Sequence, residues 1–154
     1  MDARAGVVTM SGAASRLADE LSEPTVESVT AALRAGVLLV TALPNGDSST
    51  IPELMTTNGV VNVASVDASA QPAKNKAGGE MINDDVDVVA PGIELAGRGW
   101  DGTSGMSAWS GSSAATPVVA AGRRAHSDRG NAFLSAVDSV DYHGSSEGGA
   151  RWRP

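Results

Sequence analysis

The chain predicts an α/β fold built on a mainly parallel sheet. Two observations carry this. Continuous apolar runs of strand length recur along the chain, among them Val37–Ala42 (VLLVTA), as strands covered on both faces require. Between and after these runs lie segments of helical spacing, giving the order strand, helix, strand, loop, strand, strand, helix.

Gly6–Met10 (GVVTM) reads as the first buried strand, stopped by the small residues of Ser11-Gly12-Ala13-Ala14. Ser15–Ser22 is polar and reads as loop. Over Pro24–Ala35, Val26, Val29 and Leu33 recur at helical spacing, with Pro24 near the start and Gly36 just past the end. Val37–Ala42 is the second strand, and Leu43–Asn58, with Pro44, Asn45, Gly46 and Pro52, is a loop. Val60–Val66 and Val86–Ala90 are further strands, the latter ended by Pro91-Gly92. Trp100–Gly111 reads as Gly/Ser-rich loop. A last apolar helix begins near Ser113, with Pro117 expected in its first turn.

Composition narrows the function. At 154 residues the chain can bury a sizeable core, but only 3% of it is aromatic, so Ala, Val, Leu and Ile must fill that core. The first 122 residues carry a net charge of −8. An acidic body lacks the basic footprint that nucleic acid requires. No stretch is long enough to span a membrane, and the first residues lack the basic and apolar regions of a signal peptide. Cysteine is absent, which excludes thiolate catalysis and Cys-ligated zinc. Asp84, Asp85 and Asp87 read as a solvated turn leading into a strand rather than as a metal site, and no metal or cofactor is expected.

Chemistry concentrates in Gly111–Gly122, GSSAATPVVAAG. Ser113 stands among small residues at the mouth of a helix, where free N–H groups and the helix dipole favour developing negative charge. The bland alternative is an N-cap serine. The segment resembles the nucleophile motif of the subtilisin-like serine peptidases (subtilases), G-T-S-x-A-x-P, with Ser112 in place of threonine and Val118 in place of histidine. Gly102-Thr103-Ser104 spells the triplet more closely but lacks the following A-x-P and the helix, so Ser113 is preferred.

Further segments fall in the order of that family. GVVTMSGAA resembles its substrate-pairing strand and glycine turn, which assigns substrate binding to Met10, Ser11 and Gly12. GVLLVTALPN resembles the stretch ending in the oxyanion-hole asparagine, which would be Asn45; Pro44 stands where the family usually has glycine. VVNVASVDASAQPA and VDVVAPG match the following strands, so the resemblance covers roughly residues 6–122. It implies part of a three-layer subtilisin-like fold, the C-terminal part of a catalytic domain, and peptide-bond hydrolysis through an acyl-enzyme. It also implies a peptide or protein substrate and a secreted protein.

The family places its aspartate and histidine before the substrate strand. Here both histidines, His126 and His143, follow Ser113, and Asp2 has no matching motif. On a continuous helix His126 would stand about 20 Å from Ser113, far beyond the ~3 Å that a general base needs. Loss of the histidine costs a subtilisin on the order of 10⁶-fold in turnover. The chain alone is therefore expected to show little activity, the Asp and His coming from a missing N-terminal half. The family's calcium sites do not carry over residue by residue.

After Gly122 come Arg123, Arg124, Asp128 and Arg129, whose burial unpaired would cost on the order of several kcal/mol each. Either the helix ends early or the sequence beyond is unrelated to the family. Residues 1–122 are thus expected to form a partial catalytic domain. Residues 123–154 are expected to be divergent, with a helix over Ala132–Val140 and a disordered tail. Two other readings stand beside this one. One is a non-catalytic remnant that binds peptides or a partner by strand addition along Val7–Gly12. The other, a nucleotide-binding α/β domain, lacks a Gly-rich phosphate loop after the first strand.

Overall fold

A computed structural model describes residues 6–11, 22–45, 53–74, 82, 84–98 and 105–127. Four strands, β1 (Val7–Met10), β2 (Leu38–Ala42), β3 (Val60–Val66) and β4 (Val88–Pro91), form one sheet in chain order. Every pairing is parallel, with Val7 opposite Leu38, Leu39 opposite Val60 and Val63 opposite Val88. The expected mainly parallel α/β sheet is what forms.

The apolar runs explain the layering, because successive side chains of a strand alternate between faces. On β2, Leu39 joins Leu54 and Val60 on one face, covered by Val29, Ala32 and Leu33 of α1 (Glu23–Arg34). Val40 turns to the other face and packs with Val63, Ala90, Ala115 and Val119, the last two from α3 (Ser112–Ser127). Helix–sheet–helix layers result, with the core on both faces of β2 and β3. Gly36 adopts φ +76° just past α1, a left-handed conformation that glycine enters without steric cost.

The structure differs from the sequence reading in four places. A short helix, α2 (Glu53–Thr56), lies within the stretch read as loop, and it buries Leu54 and Met55. Four residues are too few for a periodic signal. The stretch after β4 contains an antiparallel hairpin of β5 (Leu95–Arg98) and β6 (Met106–Trp109). Its β6 strand is exposed throughout, so no buried alternation marks it in the sequence. Pro117 sits in the second turn of α3 rather than the first. The helix also does not stop at Gly122: it continues through Arg123 and Arg124 to Ser127, consistent with the fair helix propensity of arginine and alanine. The readings made for Ser15–Leu21, Ala132–Val140 and the C-terminal tail lie outside the described residues.

Candidate active site

The site assembles where β2, β4 and α3 meet. Leu43 leaves β2 fully buried, its N–H bonded to the carbonyl of Val63 at 3.0 Å. Pro44 and then Asn45 follow, with Asn45 at the surface. On the other side the chain leaves β4 at Gly92 and returns through the hairpin to Gly111. The Gly111 N–H donates to the Gly92 carbonyl at 2.6 Å, joining the two segments.

Both glycines are there for space. A Cβ on Gly92 would lie 2.5 Å from Ser65 Cβ and 2.8 Å from the Gly111 carbonyl oxygen. Gly111 has φ +117°, and a Cβ there would stand 2.9 Å from both amide atoms of Asn45. Asn45 can therefore lie directly against the start of α3.

That contact is specific. Asn45 Oδ1 accepts from the Ser112 N–H at 2.8 Å and from Ser112 Oγ at 2.9 Å. Ser112 Oγ also reaches the Leu43 carbonyl oxygen, and Ser112 itself is fully buried. With Oδ1 engaged, Asn45 Nδ2 is the outward donor, and it has no partner among the described residues. Ala114 and Ala115 N–H groups both donate to the Gly111 carbonyl, at 2.9 and 3.2 Å. The Ser113 N–H, by contrast, has no partner among the described residues. Helix starts leave such donors unsatisfied, and they suit an anion.

Ser113 is the second residue of α3 and half-buried. Its Oγ donates to the Ser11 carbonyl oxygen at 2.7 Å, so the hydroxyl sits at the end of β1. A backbone carbonyl can orient that proton but has no basicity to remove it. Pro117 lacks an N–H, so the Ser113 carbonyl receives no bond from the next turn of the helix. Ser113 thus has its N–H unpartnered among the described residues, its hydroxyl at the end of β1, and Asn45 held against the preceding residue.

Beside Ser113 opens an apolar cleft of about 820 Å³, lined by Ser11, Leu95, Trp109, Pro117 and Val118 among others. Trp109 is 54% and Val118 41% exposed, so these apolar side chains are uncovered in the chain as described.

The other sequence candidates fall as follows. Met10 packs against the Leu39–Leu54–Val60 cluster, on the face that α1 covers. Ser11 contributes its carbonyl, as above. Gly12, Asp2, Ser104 and His143 lie outside the described residues. Position 126 belongs to α3, 13 residues beyond Ser113, and the unbroken helix carries it about 20 Å away.

Asp84 and Asp85 form a turn, and Asp87 Oδ2 accepts from the Asn62 N–H at 2.7 Å. No group of residues suited to hold a metal ion occurs among the described residues. Sequence reasoning missed the clasp at this turn: the buried Asn62 amide donates to the carbonyls of Met55 at 2.8 Å and Asp85 at 3.0 Å. It also missed Ser112 as a structural partner of Asn45.

The Subtilase family model matches residues 1–123, four-fifths of the sequence. The chain belongs to the subtilase family. Among solved structures, it is similar to the prenylagaramide maturation protease PagA, with TM-score 0.63 and 23% identity. That match covers 75% of this chain and 41% of PagA. It is also similar to the PatG macrocyclase in complex with peptide, with TM-score 0.56, 18% identity and coverage of 76% and 35%. At these identities the likeness speaks to the fold, of which this subtilase chain spans about two-fifths of the length of PagA. No curated protein sequence matches it. Within the family match lie the strand β1, Asn45 and Ser113.

Proposed function

We propose that this chain carries the acyl-transfer part of a subtilase serine endopeptidase site. Ser113 is the nucleophile, and the Ser113 N–H and Asn45 Nδ2 are the donors for the oxyanion. Ser113 Oγ attacks the carbonyl carbon of a peptide bond. The negative charge gathers on the carbonyl oxygen beside the two donors, and collapse expels the amine and leaves an ester on Ser113. Water then cleaves that ester. The substrate is a peptide or protein, held along the end of β1 near Ser11.

The observation that carries this reading is a serine hydroxyl at a helix start that meets the end of β1, with Asn45 bonded to the residue just before it. The proton on Ser113 must leave to a base, and an aspartate–histidine pair from the remainder of the catalytic fold fills that role. The open apolar cleft beside Ser113 is the surface on which that remainder sits. Residues 1–122 serve as the partial catalytic domain, with α3 running on to Ser127.

A second reading, a non-catalytic module that binds peptide by strand addition, draws on one observation. Among the described strands β1 lies at an edge of the sheet, with Val8 37% exposed along it.

A fluorophosphonate probe separates the two. The peptidase reading expects slow covalent labelling mapped to Ser113 by mass spectrometry and lost in Ser113→Ala, with little peptide hydrolysis by the chain alone. Labelling absent from Ser113 while peptide still binds would favour the binding module. Robust hydrolysis by the chain alone, abolished by Ser113→Ala, would overturn the assignment of the base to the remainder of the fold.

A further inference from the structure

Two asparagines of the sequence are followed by glycine, Asn45 and Asn58. Such a pair favours deamidation, because a glycine has no side chain to keep its backbone nitrogen from the amide carbon of the residue before it. Both asparagines are exposed. Their amides differ in what they meet. Asn58 has no side-chain partner among the described residues. Asn45 Oδ1 lies at the start of α3 and accepts from the Ser112 N–H at 2.8 Å. A backbone N–H can meet only the oxygen of a side-chain amide, so Nδ2 is the atom left without a partner among the described residues.

That contact bears on the reactivity of Cγ. When a nitrogen attacks Cγ, an electron pair of the Cγ–Oδ1 double bond moves onto Oδ1. The Ser112 N–H and the positive end of the α3 dipole stabilise the charge that gathers there. A carboxylate formed at the same place is also stabilised, as acidic side chains are at helix N-termini.

From this geometry we infer that Asn45 is a self-deamidation site that the start of α3 activates. The Gly46 backbone nitrogen bonds to Asn45 Cγ, and the Cγ–Nδ2 bond breaks. The proton of the Gly46 N–H passes through solvent to Nδ2, which leaves as ammonia and closes a cyclic imide. Water then opens the imide at either carbonyl, giving aspartate or isoaspartate at position 45. No oxidant or reductant takes part. The product sets a carboxylate where the amide donor stood. Its cost to catalysis rests on the peptidase reading above; the modification does not.

The test is peptide mapping of the full chain during incubation at mildly alkaline pH, folded and in guanidinium chloride, with Asn58 as the reference in the same molecule. Asn45 is expected to convert about tenfold faster in the folded chain than in the denatured one, the factor that one donor supplies to a charge developing in a transition state. Asn58, with no helix start at its amide, is expected to gain nothing from folding. Conversion of Asn45 that is absent or not accelerated by folding, or an equal acceleration at Asn58, would overturn the inference. Gly46→Val is expected to suppress conversion at Asn45 alone; conversion at the parent rate in that variant would equally overturn it.

Fluorophosphonate labelling supplies the second arm. The converted chain is expected to label at Ser113 at least about tenfold more slowly, as removal of an oxyanion donor requires. Conversion of Asn45 with labelling of Ser113 unchanged would refute the donor role proposed above and leave the modification standing.

Discussion

The two flanks of Ser113 are built in opposite ways. On the flank of Asn45 the described backbone is tied down: Gly111 is bonded to Gly92, Ser112 to Asn45 and Leu43, and Leu43 to Val63. Gly92, Gly111 and Ser112 are buried there. On the flank of Trp109 and Val118, apolar side chains face an open cleft of about 820 Å³. The difference teaches where the chemistry is complete. Oxyanion donors act by being rigid before the reaction starts, and the first flank supplies that rigidity from this chain's own strands. The second flank is open among the described residues, and the proposed reading brings the base there.

Substitutions can break this contrast. The largest effect is expected for Gly92→Ala, whose Cβ would be driven to 2.5 Å from Ser65 Cβ and into the backbone of Gly111. Overpacking of this kind costs about 3 kcal/mol, and urea denaturation should show the midpoint falling steeply. A variant as stable as the parent would mean that the rigid flank yields easily. Asn62→Ala comes next. It leaves the Met55 and Asp85 carbonyls without their amide partner, at a cost of about 2 kcal/mol. The same denaturation series measures it. On the open flank the expectation reverses: Val118→Ser should shift stability by no more than about 0.5 kcal/mol, as for other exposed positions. A large loss there would show that the cleft is filled from within the chain.

A pH profile sharpens the second half of the contrast. If no imidazole reaches Ser113, labelling of this serine should climb steadily from pH 6 to 9 without an inflection near 6.5, the ordinary value for histidine. A sigmoid centred there would point to His126 or His143 as a working base, contrary to the account.

Much of this contrast was legible in the residues. Val37–Ala42 and Val60–Val66 announced a doubly covered sheet, because a strand buried on both faces cannot afford polar alternation. The site motif exposed Ser113 and, by its place after the second strand, Asn45. What stayed hidden depended on contacts between distant positions. Ser112 reads as a small motif neighbour until its partners, 67 and 69 residues away, are seen. Asn62 reads as a polar interruption of a strand, since its partners lie on α2 and on the turn before β4. The β5–β6 hairpin escaped because its β6 strand buries nothing, and α2 because four residues carry no period. Of the two outcomes left open at Gly122, the early end of α3 does not occur, because charge alone does not stop a helix.

The central claim is that the donor side of the site is already built in this chain. Comparing fluorophosphonate labelling of Ser113 in the parent and in Asn45→Ala tests it most directly. The account predicts an adduct on Ser113 that forms at least about tenfold more slowly without the Asn45 amide. Equal rates in the two folded proteins would contradict it.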